Sequence, residues 1–382
     1  MARRANRNHE SGRRLTRRGF LATAAGAAGA AAAGSLGAAV PSRPPAAAAV
    51  PALPKRTLGR TGLKLTTFSL GTVGLETAVI KAGLARGINF VHSASGYNTL
   101  DRVAEAMAGR RDKPYLGLKY ERPGQVDWNY LNRCLQLLQV DHVDLLFFPL
   151  NSPEEARNRT HLDFFNQVKQ QKKARFIGIT SHGNVAPTMR AAVEAGFWDV
   201  LMPSYIAEPA ARAELMPVLD QAEKKKVGVV AMKTMTGLSP GSLAQMQTVV
   251  KEVLADSSVT CMIKGMLSFE QLDAFLAVVG KRPTAAESEA LRQHLACRQG
   301  EVCMICGRCP TCPQGVSVFE VVRAFDYYYA QQGFPQVARS MYAEIPHQER
   351  GSACDNCGEC DAKCPYGVSI ARHVQAAHLM LG

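Results

Sequence analysis

From Lys55 to Gly280 short apolar runs alternate with amphipathic stretches, and this alternation constrains the fold more than any other feature of the chain. Strand-like runs fall at Thr66–Gly71, Ile88–Ser93, Tyr115–Tyr120, Val143–Leu150, Arg175–Thr180, Val200–Ile206, Val227–Lys233 and Val259–Lys264. Each is rich in Val, Ile, Leu or Phe without clean alternation, the pattern of a strand covered on both faces. Helical patterns lie between them, among them Leu75–Ala85, Leu100–Ala108, Trp128–Leu138, Ala186–Ala195, Ala211–Lys225, Leu243–Ala255 and Phe269–Val279. Parallel neighbours need long crossovers, and eight such units predict an α/β fold closed into a (β/α)8 TIM barrel over residues 55–280. Arg56–Leu65 reads as a hairpin on the barrel floor, turning at Arg60-Thr61-Gly62.

After Lys281-Arg-Pro-Thr the pattern changes. Residues 284–382 read as helices (Ala285–Ala296, Val318–Gln332, Pro335–Ala343, Val368–Leu381) separated by two cysteine-rich loops. Eight of the eleven cysteines lie there, as Cys303, Cys306, Cys309 and Cys312, then Cys354, Cys357, Cys360 and Cys364. Thiolates repeated every third residue in one loop can wrap the corners of one inorganic cube. A fourth Cys followed by Pro is the spacing of bacterial [4Fe–4S] ferredoxin loops. The tail is thus expected to be a small, mainly α-helical, ferredoxin-like domain with two [4Fe–4S] clusters. Zinc usually draws two close ligands from each of two segments, and cysteines this close in tandem make poor disulfides. In two-cluster ferredoxins the fourth Cys of one run serves the other cluster. That order groups Cys303, Cys306, Cys309 and Cys364, and Cys312 with Cys354, Cys357 and Cys360. Because the first run ends on a shorter spacing, a run-by-run grouping stays open. Cys134, Cys261 and Cys297 read as small core residues, with Cys297 near enough to the first run to be a spare ligand.

The N-terminus reads Thr16-Arg17-Arg18-Gly19-Phe20-Leu21, followed by an Ala/Gly-rich span with small residues near Ala46. This is the pattern of a twin-arginine export signal over residues 1–50, cleaved or retained as an anchor. It implies a periplasmic or otherwise exported protein and passage through the twin-arginine translocase. That route carries folded proteins, which suits clusters loaded where thiols stay reduced. Membrane association is expected only if the signal is uncleaved. Of the formal charge of +13, +7 lies in residues 1–50 (eight Arg, one Glu), leaving +6. No basic block with interleaved aromatics follows, which argues against nucleic acid.

Lys55–Thr72, Gly87-Ile-Asn-Phe90, Tyr97, Val143-Asp144-Leu145-Leu146, Ile177-Gly-Ile-Thr-Ser181 and the Gly265…Glu270-Gln271-Leu272 stretch together resemble the aldo/keto reductases. Cys312-Pro-Gln-Gly-Val316 resembles the cluster-bearing extension of one branch of that family. The resemblance implies carbonyl reduction with NAD(P)H, a Tyr proton donor made more acidic by a Lys, an Asp holding that Lys and a His orienting the carbonyl. It places Tyr97 and Lys119 on the Tyr and Lys positions, His92 on the Asp position and Pro149 on the His position. His182, after the fifth strand, is the candidate for the lost donor. For the dinucleotide the resemblance points to Ser181, Met232, Lys233, Lys264 and Gly265. Leu267 stands near the Arg expected to meet a 2′-phosphate, and it cannot pair with one. The expected protein is an exported iron–sulfur oxidoreductase acting on a small carbonyl or alcohol, with a redox partner protein. The alternatives are an electron-transfer or assembly subunit that uses the barrel as a docking scaffold, and non-redox chemistry at the barrel with structural clusters.

Overall fold

The computed structural model describes residues 52–110, 112–121, 127–238 and 241–382. The expected export signal, residues 1–50, lies outside them. Among the described residues no helix is long and apolar enough to cross a membrane.

The chain begins with an antiparallel hairpin, β1 (Lys55–Thr57) and β2 (Lys64–Thr66), with Arg56 opposite Leu65. Eight parallel strands then close a barrel: β3 (Phe68–Gly71), β4 (Phe90–Ala94), β5 (Tyr115–Lys119), β6 (Val143–Pro149), β7 (Ala174–Ser181), β8 (Val200–Pro203), β9 (Gly228–Ala231) and β10 (Cys261–Lys264), with β10 beside β3. Every strand read from the sequence is present. The helix pair Pro153–Arg157 and Thr160–Gln170 completes the outer ring.

Period-two geometry sorts the strand residues into two cores. Inward residues such as Phe90, Leu145, Phe147, Val200, Met202 and Val230 fill the barrel. Outward neighbours such as Val91, Leu118, Leu146 and Ile179 pack under the helices. The hairpin plugs the floor, because its Leu58, Leu63 and Leu65 belong to the inward core. Burying each of these leucines contributes about 2 kcal/mol. The Arg56 guanidinium pins the hairpin by donating to the carbonyls of Leu254, Asp256 and Val259 at 2.7, 2.8 and 2.6 Å.

The tail folds around its own apolar core, including Ile305, Val321, Tyr328, Tyr342 and Val374. It packs on the barrel's C-terminal mouth, where side chains at strand ends do chemistry in this architecture. Gly307 (φ +71°) sits so close to the loop after β7 that a Cβ there would lie 2.2 Å from the Gly183 Cα. Asn184 N–H donates to the Cys306 carbonyl at 3.1 Å. Arg308 pairs with Glu214, and Tyr366 O–H donates to Glu208 at 3.4 Å.

The helix expected over Val318–Gln332 differs in kind. It runs as α-helix over Val318–Val322 and as π-helix over Arg323–Gln331. The wider π turn brings successive side chains closer in angle than an α turn, and such segments often mark functional sites. Here it turns both Tyr327 and Tyr328 onto the barrel mouth. One further expectation fails: Cys297 is exposed, at the end of helix Ala285–Cys297, whereas Cys134 and Cys261 are buried core residues.

Candidate functional site

Register places the polar set in one ring. Ala94 pairs with Lys119 and Gly117 with Leu145, so Lys119 ends β5 on the same inward row as Gly117. Its side chain is 3% exposed. Tyr97 stands just past β4, in a one-turn helix Ser95–Tyr97, and the Lys119 ammonium donates to its hydroxyl at 3.4 Å.

The counter-charge for Lys119 is Glu121, with Nζ–Oε1 at 2.7 Å. Burial acts to raise the Glu121 carboxyl, but Lys119, the Gly96 N–H at 2.6 Å and Arg323 hold it below the usual carboxylate range. Burial likewise acts to lower Lys119, and Glu121 and Tyr97 outweigh it and hold its ammonium above the usual range. His92, expected to stand in for the carboxylate, does not fill that role. It is buried, its Nε2 has no partner, and burial and the Lys119 charge push it down to about 3. A neutral imidazole edge-on to Phe147 (5.5 Å between ring centres) packs the barrel beneath the pair. Glu121 was legible in one respect: two residues past Lys119, it projects from the same side of an extended chain.

His92, Tyr97 and His182 line one cavity at the mouth. His182 is 3% exposed with neither ring nitrogen bonded, and burial, Lys233 and Lys119 keep it neutral. A neutral imidazole offers one donor and one acceptor. Its loop is set by the Asn151 side-chain oxygen, which accepts from His182 N–H at 2.9 Å and Gly183 N–H at 3.0 Å. Ser181 serves the same loop, donating to the Gly183 carbonyl at 2.8 Å.

Met232, Lys233, Lys264 and Gly265, the residues expected to meet a dinucleotide, line the same cavity, and Ser181 does not. Its roof is Tyr327, Tyr328 and Gln332, which no barrel motif signals. Tyr328 is 1% exposed, and the Lys233 ammonium lies 3.2 Å from the centre of the Tyr327 ring. Lys264 donates to the Gln332 side-chain oxygen at 3.3 Å. The open space inside is about 50 Å³. A wider groove of about 360 Å³ reaches Tyr97 from outside, between Arg102 on the barrel and Phe334 and Val337 on the tail.

The cysteines gather around two further cavities. Cys303, Cys306, Cys309 and Cys364 line one, and Cys312, Cys354 and Cys357 line the other, with Cys360 bordering both. Among the described residues no three His, Cys, Asp or Glu side chains are grouped to hold a single metal ion. Through Cys306 and Gly307 the first cavity abuts the loop that carries His182.

No protein-family model and no curated protein matches the chain. Solved structures resemble it. An aldo-keto reductase from Bacillus halodurans superposes with TM-score 0.51 at 20% identity, covering 64% of this chain and 96% of that one. A Pseudomonas aeruginosa chain described as an aldo-keto reductase gives 0.50 at 19%, covering 60% and 97%. A chain described as a 2,5-diketo-D-gluconic acid reductase B gives 0.50 at 17%, covering 63% and 91%. At these identities the likeness establishes the fold, the (β/α)8 barrel.

Proposed function

We propose an iron–sulfur oxidoreductase of the aldo/keto reductase type that interconverts a small carbonyl and its alcohol at the barrel mouth. The observation that carries this reading is the Tyr97–Lys119–Glu121 array at the C-terminal end of the barrel, with Lys119 buried, Tyr97 and Glu121 half-buried, and Tyr97 reached from a groove. In the reductive direction Tyr97 delivers its phenolic proton to the carbonyl oxygen. The adjacent Lys119 ammonium stabilises the phenolate that remains, and Glu121 keeps that ammonium charged. Neutral His182 supplies the second donor toward the same oxygen, the place that Pro149 cannot fill.

The cysteine cavities fit a cluster better than a single ion. A tetrahedral zinc site draws its thiolates to about 3.8 Å of one another, and no such group occurs among the described residues. A four-iron cube held at its corners spreads them further. The cavity linings support Cys303, Cys306, Cys309 and Cys364 around one cluster, and Cys312, Cys354, Cys357 and Cys360 around the other. If held there, two [4Fe–4S] clusters re-reduced by a partner would supply one electron each; with the Tyr97 proton to oxygen and a second proton from solvent to the carbonyl carbon, that pair balances the reduction to the alcohol. Cys357 is exposed, so the second cavity is the side that a redox partner would reach, while the first lies against the His182 loop.

We read the mouth as too closed over by the tail to seat a nicotinamide dinucleotide in the ordinary way. Its cavity of about 50 Å³ is roofed by the chain's own Tyr327, Tyr328 and Gln332. We place the protein in the periplasm, on the twin-arginine sequence at Arg17-Arg18, where electrons from a partner replace a soluble nicotinamide pool. The test is anaerobically purified protein with its clusters intact, assayed with a reduced dye and small aldehydes. Tyr97→Phe and Lys119→Met should each lower turnover by roughly 100-fold or more at unchanged iron content. If both variants keep full activity, the barrel is a docking scaffold. Saturable NADPH binding with cluster-independent turnover would instead restore the ordinary family chemistry.

A further inference from the structure

Charge around the mouth cavity does not balance. Lys119 is paired with Glu121, and Arg323 with Glu320. Lys264 has only the neutral Gln332 amide. Lys233 is 9% exposed, and its ammonium has no hydrogen-bond partner at all, only the faces of Tyr327 and Tyr328 at 3.2 and 4.6 Å. Among the described residues no carboxylate forms an ion pair with Lys233 or Lys264. The two histidines on the wall are neutral and offset nothing. Lys233 also holds a left-handed backbone (φ +56°) at the end of β9, which costs a non-glycine residue about 1 kcal/mol or more. Burial and the charges of Arg323 and Lys119 hold Lys233 well below the usual lysine range, so its ammonium form is costly until an anion in the cavity offsets the charge. A strained backbone that aims such a group into a cavity is explained when a ligand supplies the missing charge.

We infer that the mouth cavity takes a small organic anion, a carboxylate-bearing carbonyl compound such as a 2-oxo acid. Its carboxylate sits between Lys233 and Lys264, and its carbonyl faces Tyr97 and His182. The open space of about 50 Å³ between the two lysines and Tyr97 suits a compact ligand. The carboxylate accepts charge-assisted hydrogen bonds from both ammonium groups, and the aromatic faces over Lys233 keep water from competing. This rests on the proposal that Tyr97 and Lys119 are the reacting pair, but binding is measurable without turnover.

The probe is oxalate, a dianion with no reducible carbonyl of the aldehyde or ketone kind. Binding to the anaerobic, cluster-loaded protein is followed by calorimetry, with acetamide as a neutral control and 2′,5′-ADP as a phosphate source. Oxalate should bind saturably, and acetamide and 2′,5′-ADP should not. Lys233→Met and Lys264→Gln should each weaken oxalate by roughly 30-fold or more, as expected when one partner of a buried charge pair is removed. Both variants should fold with full iron content, because Lys233→Met sheds an unpaired buried amine and Lys264→Gln, at a half-buried position, gives up only the contact to Gln332. Equal oxalate affinity in wild type and both variants overturns the inference. So does 2′,5′-ADP binding that needs Lys264, since the cations would then serve a nucleotide phosphate. Saturable, Lys233-dependent oxalate binding in a protein with no carbonyl turnover would uphold the anion site and refute the oxidoreductase reading alone.

Discussion

Replacing Glu121 by Gln isolates the electrostatics of the site at almost unchanged shape. The Lys119 side chain is 3% exposed and that of Glu121 26%, with 2.7 Å between the charges. Removing one partner of a fully buried pair costs about 3–5 kcal/mol, because the other charge stays buried and alone. Partial exposure of Glu121 screens part of this, so about 2–3 kcal/mol is expected. For a folded unit of roughly 330 residues, that lowers Tm by about 3–4 °C. The sign of the pH dependence is fixed. The Glu121 carboxyl is depressed in the fold, so its contribution is full above the unfolded pKa and is lost as pH falls through the folded one. The variant should therefore lose the acid limb of the stability profile that wild type shows. Scanning calorimetry on Glu121→Gln, Lys119→Met and the double variant closes the cycle. The double variant should recover most of what Glu121→Gln loses, with a coupling of about 2 kcal/mol. Additive losses, or a Tm unmoved by Glu121→Gln, would mean that Lys119 is not held by Glu121.

Three further outcomes follow from other parts of the molecule. Cys364→Ser should remove the cluster nearer the barrel, taking iron from about eight to about four per chain, and Cys312→Ser should do the same for the other; loss of all iron from either variant would argue against separate ligand sets. Gly307→Ala should unseat the tail, because its Cβ would collide with Gly183 at 2.2 Å from a left-handed backbone, so limited proteolysis should release the tail while the barrel persists; wild-type resistance would contradict the docking. Burial lowers Lys264 to about 8, with the neutral Gln332 amide as its hydrogen-bond partner. Oxalate affinity should thus fall as pH rises past about 8, while stability climbs from there toward the unfolded lysine value, where the unfolded chain binds the extra proton; affinity flat from pH 7 to 10 would exclude Lys264 as a ligand.

Much of the fold was legible because its signals are local. Eight doubly buried strands announce themselves by composition, and the floor hairpin by Arg60-Thr61-Gly62. Tyr97 and Lys119 were placed by motif order, and they meet at 3.4 Å. What was not legible depends on distant chain segments meeting. The carboxylate for Lys119 was sought at the family's position and found at Glu121, a residue that no barrel motif marks. Tyr327 and Tyr328 fall in a stretch read simply as a helix, Val318–Gln332, and only the π turn and the docking of the tail bring both over Lys233. Period and propensity carry no trace of that docking, which depends on Gly307 meeting Gly183 across more than a hundred residues of sequence.

The central claim is that the eight tail thiolates hold two iron–sulfur clusters beside a reductase-like mouth. It is tested most directly by metal and acid-labile sulfide analysis of anaerobically purified protein, with electron paramagnetic resonance after dithionite reduction. Brown protein with about eight iron and eight sulfide per chain, and signals from two interacting reduced clusters, is expected. Colourless protein with one or two zinc ions and no sulfide would contradict the claim.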